Sequence, residues 1–180
     1  VVNVVTTGGT PTLALANGGT ATYTGGTGTS TLTFSYTPAA GQDTADLATA
    51  TSNALALNGG TIKDLAGNTV TASGFDNVNP AGTLIVDTTA PIVSSIAYGS
   101  NDGRLALGEA VNLTVTLSEA VNVVTTGGTP TLALANGGTA TYTGGTGTST
   151  LTFSYTPATG QDTADLATAA TSALSSNGGT

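Results

Sequence analysis

Hydrophobic and polar residues alternate along much of this chain, with a period of two. Across residues 110–118, Val111, Leu113, Val115 and Leu117 fall on one face, and Asn112, Thr114, Thr116 and Ser118 fall on the other. That period marks a strand with one face in a core and the other in water. Residues 31–37 carry the same pattern, with Leu32, Phe34 and Tyr36 turned inward. Residues 12–16 and 20–24 are predicted to pair as a hairpin, because Asn17-Gly18-Gly19 between them supplies the positive φ of a tight turn. Further strands are predicted over 92–98, 121–125 and 83–86. Residues 44–57 read as an irregular crossing rather than a helix, since the segment is short and threonine is a mediocre helix former. Short strands separated by Gly-rich turns predict an all-β fold, a two-sheet sandwich of Ig-like type.

The alternation is itself repeated. Residues 2–61 and 121–180 align without a gap at an offset of 119, and 54 of the 60 positions are identical. The differences include Ala40/Thr159, Thr51/Ala170 and Leu57/Ser176. A period this long suits a whole β domain better than a solenoid turn, whose repeat is about 20–50 residues. One folded unit is therefore expected to end, and the next to begin, near Leu84-Ile85-Val86-Asp87-Thr88-Thr89-Ala90-Pro91. Pro91 fixes its own φ and biases Ala90 toward extended geometry, so the joint reads as short and stiff. The expected division is 1–86, an Ig-like repeat short of its first strands; 87–90, a linker; and 91–180, a repeat short of its last strands. The chain is expected to be a window on something longer.

Composition narrows the chemistry. Lys63 and Arg104 are the only basic side chains against ten carboxylates, a formal net charge of −8. Nucleic acid is not an expected partner, because that affinity rests on Lys and Arg neutralising phosphates. No run approaches the ~18 apolar residues of a membrane span, so insertion is not expected. The chain has no His and no Cys, which removes disulfides, thiolate chemistry and imidazole general bases. Gly8-Gly9, Gly25-Gly26 and Gly127-Gly128 lack the strand, loop, lysine and helix of a phosphate cradle. A carboxylate pair hydrolyses glycosides in some enzymes, but near-identical repetition suits spacing better than a unique active site. The chain is not expected to be an enzyme.

Three stretches carry a resemblance: Asp87-Thr88-Thr89-Ala90-Pro91 between the units, Leu117-Ser118-Glu119-Ala120-Val121 after the second unit's alternating strand, and Thr61-Ile62-Lys63-Asp64-Leu65-Ala66-Gly67-Asn68. Together they resemble the tandem Ig-like (bacterial Ig-like or cadherin-like) repeats of very large secreted bacterial surface adhesins. The resemblance implies an extracellular place at the bacterial cell surface and a role as extender, holding a terminal binding domain away from the cell. It also implies structural calcium at the joints, and neighbouring modules of the same chain as partners. A second reading is a subunit of an extracellular filament or matrix, built by lateral or strand-exchange contacts with other copies.

The carboxylates give the candidate metal ligands. Loops of a sandwich alternate between its two ends, which is expected to bring Asp43, Asp46, Asp87 and Glu119 to one junction as hard oxygen donors for calcium. The plainer alternative is that Asp43 and Asp46 shape a turn, while Glu119 ends a strand in solvent. Asp64 and Asn68 are secondary candidates, and their Asp64-Leu65-Ala66-Gly67-Asn68 stretch also reads simply as a turn. Asn101-Asp102-Gly103 is expected to be a hairpin turn rather than a calcium loop. Threonine rows such as Thr20, Thr22 and Thr24 suit the solvated face of a twisted sheet better than an ice surface. A glycan platform would have only Tyr23, Tyr98 and Tyr142 to draw on.

Overall fold

The computed structural model describes residues 1–99 and 103–180. Its regular structure is β, apart from one 3-10 turn at Ala72–Phe75, and every named strand pair is antiparallel. Two compact units divide the chain, Val1–Thr89 and Ala90–Thr180. The turn expected at Asn101 and Asp102 lies outside the described residues.

The first unit contains β1 (Val2–Val5), β2 (Thr12–Ala14), β3 (Thr20–Gly25), β4 (Thr33–Ser35), β5 (Leu55–Ala56) and β6 (Thr61–Asp64). β1 pairs with β6, and the other four form a sheet in the order β4-β3-β2-β5. The hairpin of β2 and β3 sets Leu13 opposite Ala21 and Thr12 opposite Thr22. Its turn closes as the Asn-Gly chemistry predicts: Gly18 has φ 81°, and the Asn17 side chain accepts from the Gly19 amide at 3.1 Å. Of the crossing expected over 44–57, residues 44–54 form no strand and touch Val86 through Thr44 and Leu15 through Thr49, whereas Leu55–Ala56 are strand β5, because they pair with Leu13 and Thr12 of β2.

The second unit contains β7 (Val93–Tyr98), β8 (Val111–Val121), β9 (Thr131–Ala133), β10 (Thr139–Gly144), β11 (Thr148–Tyr155) and β12 (Leu174–Ser175). They form one sheet in the order β12-β9-β10-β11-β8-β7. Register puts Val111 opposite Tyr155, Leu113 opposite Phe153 and Val115 opposite Leu151. All six are buried, with Leu132, Leu134 and Ala140 completing the cluster. Removing a side chain of this size from water contributes about 1.5–3 kcal/mol, so β8 and β11, with three buried side chains each, supply most of this core.

The same sequence packs differently in the first unit. There β4 is a sheet edge, and Leu32, Phe34 and Tyr36 are only half-buried. Full burial falls instead to Ala21, Ala54, Leu55, Ile62 and Val86.

Two predicted strands are corrected. Thr83, Leu84 and Ile85 form no strand; only Val86 bridges, to Thr44. The surface beneath them is the irregular 44–50 crossing, which offers no continuous ladder, and Ile85 stays 67% exposed. Within 121–125 only Val121 is strand, as the last residue of β8. The matching residues Val2–Val5 form β1 because β6 pairs along all four. In the second unit the described ladder there is one pair of bonds between Val124 and Thr180, at 2.5 and 3.0 Å.

Candidate functional site

Two of the first unit's five aspartates, Asp43 and Asp46, lie on the 41–50 loop. A buried-side network fixes where that loop lies. Asn17 Nδ2 donates to Tyr36 Oη at 2.9 Å and to the Gln42 carbonyl at 2.7 Å. Tyr36 Oη donates to Gln42 Oε1 at 3.0 Å, and Gln42 Nε2 returns to the Gly18 carbonyl at 3.2 Å. Hairpin turn, β4 extension and loop are thereby one hydrogen-bonded assembly. The Tyr36 ring lies so close to Gly19 that a Cβ there would overlap it, which explains the second glycine of the turn.

The loop presents Asp43 and Asp46 to the segment that closes the unit. Asp43 accepts from the Thr88 amide at 2.5 Å, the Thr88 hydroxyl at 2.7 Å and the Thr89 hydroxyl at 2.9 Å. These bonds, the Thr88 hydroxyl foremost, hold its carboxyl below the ordinary aspartate value. Asp46 accepts from Asn79 Nδ2 at 2.8 Å and the Leu84 amide at 3.0 Å, and the Asn79 bond leads in lowering its pKa. Backbone bonds run alongside: Thr44 and Val86 exchange both of theirs, Leu47 donates to Leu84, and Thr49 donates to Val78.

The other candidates have surroundings of their own. Asp87 is exposed, and its Oδ1 accepts from the Thr89 amide at 3.0 Å, a local turn. Its Oδ2 takes no hydrogen bond among the described residues. Asp64 accepts from the Asn68 amide and side chain, both at 2.8 Å, and the side-chain bond is the main cause of its lowered pKa. Asp64 and Asn68 therefore hold their own turn. Glu119 lies half-buried near the end of β8, in the second unit.

Calcium takes six to eight oxygens. Among the described residues no three carboxylates group closely enough to hold a metal ion. In Asp43, Asp46 and Asp64 both carboxylate oxygens already accept protons from named donors. What the geometry performs is latching: two acidic side chains fasten a hydroxyl- and amide-rich segment across the loop.

The aromatic candidates pack rather than present a platform. Tyr23 meets Phe34 edge-on with centroids 5.7 Å apart, and Tyr142 meets Phe153 at the same distance. Tyr98 is 42% exposed, and its hydroxyl donates to the Leu166 carbonyl. Among the described residues no helix is long and apolar enough to cross a membrane.

The chain was compared with protein-family models, with curated proteins and with solved structures. It matches none of them.

Sequence reasoning missed Thr88 and Thr89 as the partners of Asp43, and Asn17, Tyr36 and Gln42 as the network behind it. For the threonines a signal existed, since two adjacent hydroxyls follow an acidic residue at the very joint. The network had none, because its members are far apart in sequence and of common polar type.

Proposed function

We propose that the chain is an extender: tandem Ig-like sandwich modules of a bacterial cell-surface adhesin, extracellular, spacing a distal binding domain from the cell. One observation carries this reading. Two units share 54 of 60 aligned residues, and the second rebuilds the same network, with Asn136 donating to Tyr155 at 2.8 Å and Tyr155 to Gln161 at 3.0 Å. Repetition of one scaffold adds length, whereas catalysis needs a unique constellation. The reading therefore assigns no enzymatic role.

The latch supports it further. With Thr88 and Thr89 bound to Asp43, the chain leaves the first unit along a held path and then meets Pro91. Calcium enters as an exterior ion that would relieve the surplus of eight negative charges. Asp87 is the residue to test, having one carboxylate oxygen outside these bonds. Small-angle scattering with calcium and with chelator is the experiment. The calcium proposal expects a longer maximum dimension with calcium, lost in Asp87→Ala; identical profiles would remove calcium from it. For the extender reading itself, pulling single molecules should give two successive unfolding events and no rupture before them.

A further inference from the structure

Each unit carries two Asn-Gly pairs: Asn17-Gly18 and Asn58-Gly59 in the first, Asn136-Gly137 and Asn177-Gly178 in the second. The fold treats the members of each set oppositely. Asn17 is half-buried and its whole amide is engaged: Nδ2 donates to Tyr36 and to the Gln42 carbonyl, and Oδ1 accepts from Gly19. The amide of its neighbour is engaged too, since Gly18 donates to the Leu15 carbonyl at 3.1 Å. Asn136 and Gly137 repeat all of these bonds.

Asn58 and Gly59 are exposed. Their φ values are 53° and 88°, and the Gly60 amide closes the turn onto the Leu57 carbonyl at 2.8 Å. Positive φ at both central residues makes this a type I′ turn. Among the described residues the Gly59 amide donates no hydrogen bond and the Asn58 carbonyl accepts none. The peptide between them can therefore rotate to the type II′ form without breaking a bond, because that form keeps φ positive at Asn58 and changes it at Gly59 alone. The rotation carries the Gly59 nitrogen toward Asn58 Cγ. Facing that peptide is Gly9, where a Cβ would overlap the Asn58 carbonyl oxygen, so no side chain obstructs it.

The second unit builds the same turn. Asn177 and Gly178 have φ 52° and 87°, and Gly179 closes onto Ser176 at 2.8 Å. The units differ in their other strands, β6 in the first and β7 and β8 in the second, and neither set covers the turn. Position 175 adds one bond, from the Ser175 hydroxyl to Asn177 Oδ1 at 2.8 Å, where the first unit has Ala56. A donor on that oxygen favours attack on the carbon that bears it.

We propose that Asn58 and Asn177 are self-modification sites, deamidated by the backbone nitrogen of the glycine that follows, and that the change unfastens one end of the unit. The glycine nitrogen gives its proton to water and bonds to Cγ, and the Cγ–Nδ2 bond breaks as ammonia leaves. Water then opens the cyclic imide, at Cγ to give aspartate or at the main-chain carbonyl to give isoaspartate. Either product lacks Nδ2, which in Asn58 donates to the Thr10 carbonyl at 2.9 Å and the Thr12 hydroxyl at 3.0 Å. Isoaspartate also lengthens the main chain by a methylene where Gly8 and Gly9 press on the Gly59 and Asn58 carbonyls. This turn leads from β5 in one sheet to β6 in the other, so its loosening acts on the link between the sheets. The chain thereby carries a chemical clock, a property beyond the spacing role proposed above.

The experiment holds the whole 180-residue chain at mildly alkaline pH for weeks, then cleaves it at leucine and aromatic residues for mass spectrometry with isoaspartate detection. Acid products are expected at 58 and 177. Positions 17 and 136, whose peptides are read together, should lag by about tenfold or more, the weight of one or two net hydrogen bonds. In urea all four should react at similar rates. Equal rates in the folded chain overturn the proposal, and so does the same ranking in urea, which would place the difference in the local sequence. Asn58→Asp then tests the consequence: exchange at the Gly60 amide should rise and the first unit's unfolding midpoint should fall, while the second unit keeps its own. If neither moves, deamidation unfastens nothing and that part of the proposal is overturned.

Discussion

Asp43 grips Thr88 twice, through the backbone amide at 2.5 Å and the hydroxyl at 2.7 Å. The two residues are 45 apart in sequence, and the bond pair draws the end of the first unit back onto its own surface. The Thr88 hydroxyl in turn accepts from the Gly41 amide at 2.9 Å, so the loop and the joint are mutually satisfied. Asp43→Ala removes every bond of the latch to the carboxylate. Exchange at the Thr88 amide should then accelerate by about an order of magnitude, with Val86 and Thr44 following, while β3 amides stay protected. Unchanged exchange at Thr88 would mean that the latch does not order the joint.

Acid should loosen the same region. The carboxyls of Asp43, Asp46 and Asp64 are all lowered in the folded unit by the donors that face them. An unfolded aspartate titrates near 3.9, so below that pH the unfolded chain binds more protons than the folded one. Their contribution is therefore complete above about pH 4 and is lost as the pH falls through the lower folded values. Urea unfolding of the first unit between pH 7 and 2 should show falling stability only at the acid end. In Asp43→Asn with Asp46→Asn the acid slope should flatten.

How much of this was legible depends on the distance over which each interaction acts. The β2–β3 hairpin was readable because its turn chemistry is local, and β8 because Val111, Leu113 and Val115 alternate within seven residues of one another. The strand expected over 83–86 failed for a tertiary reason: hydrophobicity in Leu84, Ile85 and Val86 suggested a ladder, but the surface beneath is an irregular crossing. Candidate ligands Asp43 and Asp46 were picked out as acidic residues near a joint, and they do face the closing segment. Their donors are threonine, asparagine and backbone groups 33 to 46 positions away, which no local pattern marks.

Glycines of equal appearance should respond unequally. A Cβ on Gly9 would overlap the Asn58 carbonyl oxygen, and one on Gly128 would overlap that of Asn177, both backbone atoms with little freedom to move. Gly18 has φ 81° but open space around it, so alanine there meets backbone strain alone, about 1 kcal/mol. Gly9→Ala and Gly128→Ala should each lower their unit's unfolding midpoint more than Gly18→Ala does. Thermal melts of the three variants decide it, and equal midpoints would show that the close approach of these segments is dispensable.

The final prediction uses the repeat as its own control. Phe34 and Phe153 occupy matching positions in identical sequence, and each meets a tyrosine edge-on. Their surroundings differ: Phe153 is 1% exposed beneath the β8 ladder, opposite Leu113, whereas Phe34 is half-buried on an edge strand. Phe153→Ala opens a cavity in a packed cluster and should cost about 3–5 kcal/mol, a large part of what a unit of this size holds in reserve. Phe34→Ala loses less transfer free energy, and solvent enters the space it leaves, so its cost should be clearly smaller. Denaturant titration, with each unit followed by its own amide signals, separates the two. If both substitutions cost the same, the fuller burial of Phe153 opposite Leu113 does not set the cost of losing this ring.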